Sequence, residues 1–301
     1  MTITDRVLLI LRLLRRYKFV TTAQIRAWCV PNDKDGSITR EVMRKMRDAG
    51  LARRVKAEIH DPLATSSVPI WLPTEAGCCV LATKTGDVRC LLDCEPNTSS
   101  WTQFAHYCCV SDVMHIIDTA FAAQHYAALG SLYFEHDILH PEEQDPAKRF
   151  KTYTLIREER HGEKVTKIVC VPDAAFEVTL GKFRRAYYVE LERGMDTPRR
   201  VAAKKSPGYA GLQETQKFRL HFPQAQDFRV LSIWPHAGLR DAARRAHADK
   251  PGADLWLFAA VGEIAAETFL HSDIIYGSKE DGPRPFIKPP PGTPSATATA
   301  G

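Results

Sequence analysis

Residues 171–192 read VPDAAFEVTLGKFRRAYYVELE and contain two β-forming runs with acidic residues near the start of the first and the end of the second. Residues 165–179 predict one or two strands, and residues 185–191 predict another. Side chains at positions i and i+2 of a strand share a face, so Glu190 and Glu192 are expected to point into one cleft. The stretch therefore predicts part of a β-sheet on which carboxylates gather.

Helices and further strands flank this stretch on both sides. An amphipathic helix is predicted for residues 104–129, ended by Gly130. The other predicted elements are strands at residues 132–139, 153–157, 228–234 and 255–261 and helices at residues 209–221 and 238–248. The order of helix, three strands, helix and strand predicts an α/β domain over residues 101–278. Residues 281–301 are rich in proline, threonine and alanine and predict a disordered tail.

The first 92 residues predict a separate domain. Its predicted elements are helices at residues 4–16 and 24–29, a third helix capped by Ser37 with Ile38, Val42 and Met46 on its apolar side, and two short strands within residues 51–59 and 70–72. Three helices followed by a two-stranded ribbon make a winged helix, whose third helix enters the major groove of DNA. A linker rich in polar residues and proline follows at residues 93–100.

Basic residues of this first domain are the candidate DNA contacts. Residues 1–90 contain 16 lysines and arginines but 9 aspartates and glutamates, a balance of +7 in a chain whose net charge is +5. Lysine and arginine neutralise phosphates and release condensed counterions, so double-stranded DNA is the predicted partner, with a merely solvated basic face as the alternative. The candidates are Arg40, Arg44, Lys45 and Arg47 on the third helix and Arg53, Arg54 and Lys56 on the wing side.

The overall composition is that of a soluble protein with a packed core. Of the 301 residues, 44% are hydrophobic and 26% charged, and the mean hydropathy is −0.27, which excludes a wholly disordered or fibrous chain. No apolar run approaches the roughly 20 residues that span a bilayer. We therefore expect a cytoplasmic protein of two domains that does not associate with a membrane.

The eight cysteines lie mostly in apolar surroundings, which predicts buried reduced thiols. A zinc site built from Cys90, Cys94, His106 and Cys108 is the alternative, although this spacing matches no common zinc signature.

Four acidic residues of the α/β domain predict a cation site. Glu135 lies on the first strand, Asp173 follows Pro172, and Glu190 and Glu192 end the third strand. Carboxylates gathered in this way need a cation, and Mg²⁺ with oxygen ligands suits a site that acts on phosphates. The alternative is that these residues are ordinary strand-end positions, with Glu192 paired with a neighbouring arginine.

The chain resembles two known groups of proteins. Pro172-Asp173 and Glu190-Leu191-Glu192, on this order of elements, resemble the restriction-endonuclease-like core, whose motif is Pro-Asp followed by Asp or Glu, any residue and Lys. The chain is also similar to the replication-relaxation family of plasmid and integrative-element proteins, which joins a winged helix to such a core. The residues that carry this likeness are His106, Asp112-Val113, Glu135, Pro172-Asp173-Ala174, the run YVELERG at 188–194, Lys204 or Lys205, and Tyr209.

The resemblance implies roles for these residues. Asp173 and Glu190 become metal ligands, and Glu135 orients a ligand or a metal-bound water. Glu192 stands where the nuclease motif has lysine, so Lys204 or Lys205 is expected to supply the ammonium group from the following helix.

We therefore expect a DNA-binding protein of a mobile element, an accessory factor of plasmid replication or DNA relaxation, with a nuclease-like second domain that is active or inactive. One alternative is a Mg²⁺-dependent DNA endonuclease. Another is a winged-helix transcriptional regulator, or an adaptor that recruits a relaxase or a replication initiator. The chain lacks the histidine cluster that a relaxase needs beside its tyrosine, so it is not expected to be the relaxase itself.

Overall fold

The computed structural model describes residues 1–57, 68–91, 103–140, 142–162, 164–280 and 282–288. They form two compact units, which we call unit 1 (Met1–Asp112 with His136–Leu139) and unit 2 (Val113–Glu135 with His140–Gly301). Both units combine helices with β-sheet, which confirms the predicted α/β class. The predicted linker at residues 93–100 lies outside the described residues.

Unit 1 begins with three helices and a small antiparallel sheet. The elements are α1 (Asp5–Tyr17), β1 (Val20–Thr21), α2 (Thr22–Cys29), α3 (Ser37–Asp48), β2 (Ala52–Ala57), β3 (Val68–Pro73) and α4 (Glu75–Thr85). The strand order is β1-β3-β2. Thr4 caps α1, and Thr21 caps α2 in a capping box with Gln24. The sequence did not predict α4.

The buried face of helix α3 agrees only in part with the predicted one. Its N-cap is Gly36 and not Ser37, while the carboxylate of Asp33 accepts the backbone N–H groups of Ile38 and Thr39. Thr39, Met43 and Met46 form the buried face, whereas the predicted apolar residue Ile38 is 43% exposed. Thr39 can be buried because its hydroxyl donates to Asp33 Oδ2 at 2.6 Å.

Unit 2 is built on a seven-stranded mixed sheet. The remaining elements are α5 (Phe104–Ala122), β4 (Ala127–Phe134), α6 (Pro146–Arg149), β5 (Thr154–His161), β6 (Lys164–Cys170), β7 (Ala174–Leu180), β8 (Phe183–Leu191), α7 (Pro198–Glu214), β9 (Asp227–Trp234), α8 (Ala237–His247), β10 (Trp256–Ala260), β11 (Ile275–Gly277) and β12 (Pro283–Arg284). The sheet order is β12-β11-β10-β9-β8-β7-β4, and β5 pairs with β6 in a separate ribbon. Strands β8, β9 and β10 are parallel, whereas β7 is antiparallel to β8. The carboxyl ends of these three strands therefore lie at the same edge as the amino end of β7.

Helix α5, which begins in unit 1 and continues into unit 2, and strand β4 have different bounds from those predicted. Helix α5 ends at Ala122 and not at residue 129, and β4 begins at Ala127 and includes Gly130. Gly130 was expected to end the helix, but it lies inside a strand, where a Cβ at this position would lie 3.4 Å from the carbonyl oxygen of Glu177 on β7. Contact with a neighbouring strand, which the local sequence does not reveal, accounts for the difference.

Helix α7 begins at Pro198, well before the predicted start at residue 209. Pro207 lies inside the helix and Gly208 follows it, a pair that usually interrupts a helix. A Cβ on Gly208 would lie 2.4 Å from the carbonyl oxygen of Val169, and one on Gly211 would lie 2.4 Å from Ile156 Cγ2. The glycines are therefore needed for the close approach of α7 to the β5–β6 ribbon.

The segment at residues 282–288 was expected to belong to a disordered tail but is part of the fold. Strand β12 pairs with β11. The ring of Phe286 lies 4.6 Å from the rings of both Tyr187 and Phe269. Aromatic packing of this kind buries a large apolar area, which offsets the high proline content of the segment. Residues 289–301 of the predicted tail lie outside the described part of the chain.

Candidate functional site

Asp173 and Glu190 lie together at the edge of the unit 2 sheet. Asp173 directly precedes β7, and its N–H donates to the carbonyl of Val189 at 3.0 Å. Its Oδ2 accepts the N–H of Leu191, on β8, at 2.6 Å. Antiparallel pairing of β7 with β8 therefore places the carboxylate of Asp173 beside the strand position that carries Glu190.

A lysine from α7 joins the two glutamates. Lys205 Nζ lies 2.5 Å from Glu190 Oε2 and 2.7 Å from Glu192 Oε1. Tyr209, one helical turn further along α7, donates its hydroxyl to Glu190 Oε1 at 2.5 Å. Both oxygens of Glu190 are thus bonded to α7, and its side chain is only 2% exposed. We call Asp173, Glu190, Glu192, Lys205 and Tyr209 the carboxylate–lysine cluster.

Burial controls the electrostatics of this cluster. Burial raises the pKa of Glu190 to about 7, and the charge of Asp173 adds to this effect, while Lys205 opposes it. Burial opposes the charge of Lys205, but the carboxylates of Glu190, Asp173 and Glu192 outweigh it and raise the pKa of that lysine above its ordinary value. Burial also raises the pKa of Tyr209 well above its usual range, so its hydroxyl stays a donor.

The structure distinguishes between the two candidate lysines. Lys205 enters the cluster, whereas Lys204 is exposed. Glu135 is half-buried just after β4, and its N–H donates to the carbonyl of Asp173 at 3.0 Å. The sequence did not predict that Tyr209 holds Glu190, although its i+4 spacing from Lys205 is the helical signal for a shared face. The catalytic roles assigned to these residues stay predictions.

The cluster in this arrangement does not fit a metal ion. Three carboxylate oxygens at its centre already accept bonds from Lys205 and Tyr209. Within the described ranges, no three His, Cys, Asp or Glu side chains are grouped so that they could hold a metal. The Mg²⁺ cofactor stays a prediction.

In the alternative zinc site, Cys94 lies outside the described residues, and burial raises the pKa of the Cys108 thiol, which disfavours the thiolate that zinc requires.

Unit 1 carries a concave basic surface that we call the arginine groove. Its volume is about 560 Å³, and the residues that line it are Thr22, Ala23, Arg26, Gly36, Arg40, Arg44, Arg47, Arg54, Pro69 and Trp71. The groove thus lies between α2, α3 and the β2–β3 ribbon. Its described lining includes five arginines and no acidic residue. Four of these arginines were candidates from the sequence, and Arg26 was not.

The α3 arginines are held by weak surface contacts. Arg44 pairs with Glu41 at 2.8 Å and with Asp48 at 3.3 Å, and Arg47 pairs with Asp48 at 2.7 Å. Arg40 donates to the carbonyl of Asp35 at 3.0 Å. Exposed ion pairs contribute about 0–1 kcal/mol each, so phosphate oxygens can replace these carboxylates at little cost.

Two of the remaining basic candidates, Lys45 and Arg53, lie outside the described lining of the groove. Lys45 pairs with Glu41 at 3.2 Å and lines a second groove, of about 700 Å³, together with Arg6 and Val42. Arg53 is exposed on β2, where alternation places it on the opposite face from Arg54. The side chain of Lys56 lies outside the described residues.

The fold and these two sites define a mixed α/β protein with a basic groove in one unit and a lysine-bridged carboxylate cluster in the other. Residues 11–223, more than half of the chain, match the family model for replication-relaxation. The chain belongs to the replication-relaxation family, which places it among proteins of plasmid or mobile-element replication or relaxation. Comparison with curated proteins finds no match, and neither does comparison with solved structures. Among the described residues, every helix is too short or too polar to cross a bilayer.

Proposed function

We propose that the protein binds double-stranded DNA through unit 1 and serves as an accessory factor in the replication or relaxation of a mobile element. In this proposal, unit 1 works as a winged helix, with α3 in the major groove and the β2–β3 ribbon as the wing. The observation that carries the proposal is the arginine groove.

The spacing of the arginines supports contact with a phosphate backbone. Arg40, Arg44 and Arg47 follow one another at intervals of four and three residues, so they form a stripe along one face of α3. Arg26 of α2 and Arg54 of β2 line the same groove. Arginine presents a planar fork that suits phosphate oxygens and the edge of guanine. A groove of this charge is expected to hold duplex DNA through several phosphates at once.

The dependence of binding on salt tests this proposal. If the five arginines neutralise five phosphates, the slope of log K against log salt is expected to be about −4.5, a loss of roughly 500-fold in affinity between 50 and 200 mM salt. Fluorescence anisotropy with a labelled duplex measures this slope. The double variant Arg26→Ala/Arg54→Ala is expected to make the slope shallower by about 2.

The matched control is Arg12→Ala/Lys84→Ala, which removes the same charge from exposed positions on α1 and α4. This control is expected to leave the slope near the wild-type value. A wild-type slope close to zero, or equal slopes for the two double variants, would contradict a DNA contact through the arginine groove.

The endonuclease alternative depends on the meeting of Asp173, Glu190 and Lys205 at one edge of the sheet. We expect no nicking of supercoiled plasmid with Mg²⁺ or Mn²⁺, because the ammonium group of Lys205 already contacts Glu190, one of the two predicted metal ligands. An agarose-gel assay of plasmid topology measures this outcome. Nicking by the wild type that is lost in Asp173→Asn would establish the nuclease instead. Recruitment of a relaxase or a replication initiator stays a prediction.

A further inference from the structure

The carboxylate–lysine cluster collects three acidic side chains from the ends of β7 and β8 around one cation. Glu190 and Glu192 contact Lys205 directly, and Asp173 acts on both Glu190 and Lys205 through its charge. Carboxylates that share one buried site repel one another strongly unless a positive charge lies among them. Here that charge belongs to the chain itself.

The solvation of the site argues against a hydrated divalent ion in the same place. Mg²⁺ dehydrates reluctantly and usually keeps several waters when carboxylates bind it. Glu190 is 1% exposed and uses both oxygens for α7. An ion could reach Glu190 only after Lys205 had left, and Lys205 would then lose contacts of 2.5 and 2.7 Å.

We infer that Lys205 is a tethered cation that occupies the metal position of this cluster, so that unit 2 is a metal-free, non-catalytic domain held together by the cluster. Tyr209 supports this arrangement, because its hydroxyl occupies the second oxygen of Glu190. The backbone N–H of Leu191 likewise donates a hydrogen bond to Asp173 Oδ2. The inference goes beyond DNA binding by unit 1 and does not depend on it.

The test compares Mn²⁺ binding by the wild type and by Lys205→Ala. The binding is measured at pH 8 and again at pH 9, because the pKa of Glu190 is about 7 in the wild type and rises further without Lys205. We expect electron paramagnetic resonance to detect no wild-type Mn²⁺ binding that depends on Asp173. In Lys205→Ala, Mn²⁺ at 100 times its Kd is expected to raise the Tm by roughly 5–10 °C.

Two controls identify the site. Lys204→Ala removes an exposed lysine from the adjacent position and is expected to behave as the wild type. The double variant Asp173→Asn/Lys205→Ala is expected to lose the stabilisation by Mn²⁺. The inference is overturned if the wild type binds Mn²⁺ and loses it on Asp173→Asn, a measurement that does not depend on the folding of Lys205→Ala. It is also overturned if folded Lys205→Ala shows no response to Mn²⁺.

Discussion

Replacing Lys205 by methionine is expected to lower the free energy of unfolding by about 3–5 kcal/mol. Methionine keeps most of the aliphatic stem and removes the charge, so the change reports on the ammonium group. Without it, Glu190 becomes a buried charge that keeps, among the described side chains, the hydroxyl of Tyr209 as its donor, and Glu192 also loses its ion pair. Breaking a buried pair is costly because the partner charge stays desolvated.

Urea unfolding followed by circular dichroism measures this loss. Lys204→Met is the matched control, since it makes the same substitution at the exposed neighbouring position, and a change within about 0.5 kcal/mol is expected. The double variant Lys205→Met/Glu190→Gln is expected to recover a large part of the lost stability, because the uncompensated charge is gone. Equal losses for the two lysine variants would contradict a role for Lys205 as the cation of the cluster.

The loss on Lys205→Met is also expected to depend on pH. The folded-state pKa of Glu190 is raised to about 7 even with Lys205 present, and removal of that cation raises it further. A carboxyl group with a raised folded-state pKa favours the folded state at low pH and loses this contribution as pH rises through that value. The destabilisation is therefore expected to be smaller at pH 5 than at pH 8.

Replacing Arg40 and Arg44 together by alanine is expected to weaken duplex binding by about 2 kcal/mol or more, roughly 30-fold. Both side chains line the arginine groove, and each contributes a donor fork for phosphate or for a guanine edge. Each side chain is exposed in the free protein, so the substitutions are expected to change stability little. Anisotropy titration at fixed moderate salt measures the affinity.

The control for this variant is again Arg12→Ala/Lys84→Ala, which removes two charges away from the groove. A general loss of positive charge would weaken binding equally in both double variants. A loss confined to Arg40→Ala/Arg44→Ala would support α3 as the DNA-contacting helix. Unchanged affinity of this variant would remove α3 from that role.

Local sequence patterns correctly predicted those strands whose residue types suit their buried positions in the sheet. The strands at residues 185–191 and 228–234 correspond to β8 and β9, because aromatic and β-branched residues favour a buried strand. The predicted start of α7 and the predicted helix end at Gly130 were wrong, because contacts with other strands override local preference at these positions.

The amino-acid sequence by itself determined the α/β class, the family and the concentration of positive charge in the first third of the chain. It also placed Asp173, Glu190 and Glu192 near strand ends, because strand periodicity is a local property. Only the tertiary structure decided that Lys205, and not Lys204, neutralises the glutamates, and that Arg26 joins the α3 arginines in one groove. These outcomes depend on which face of a helix packs against the sheet or opens to solvent, and packing between distant segments sets that face.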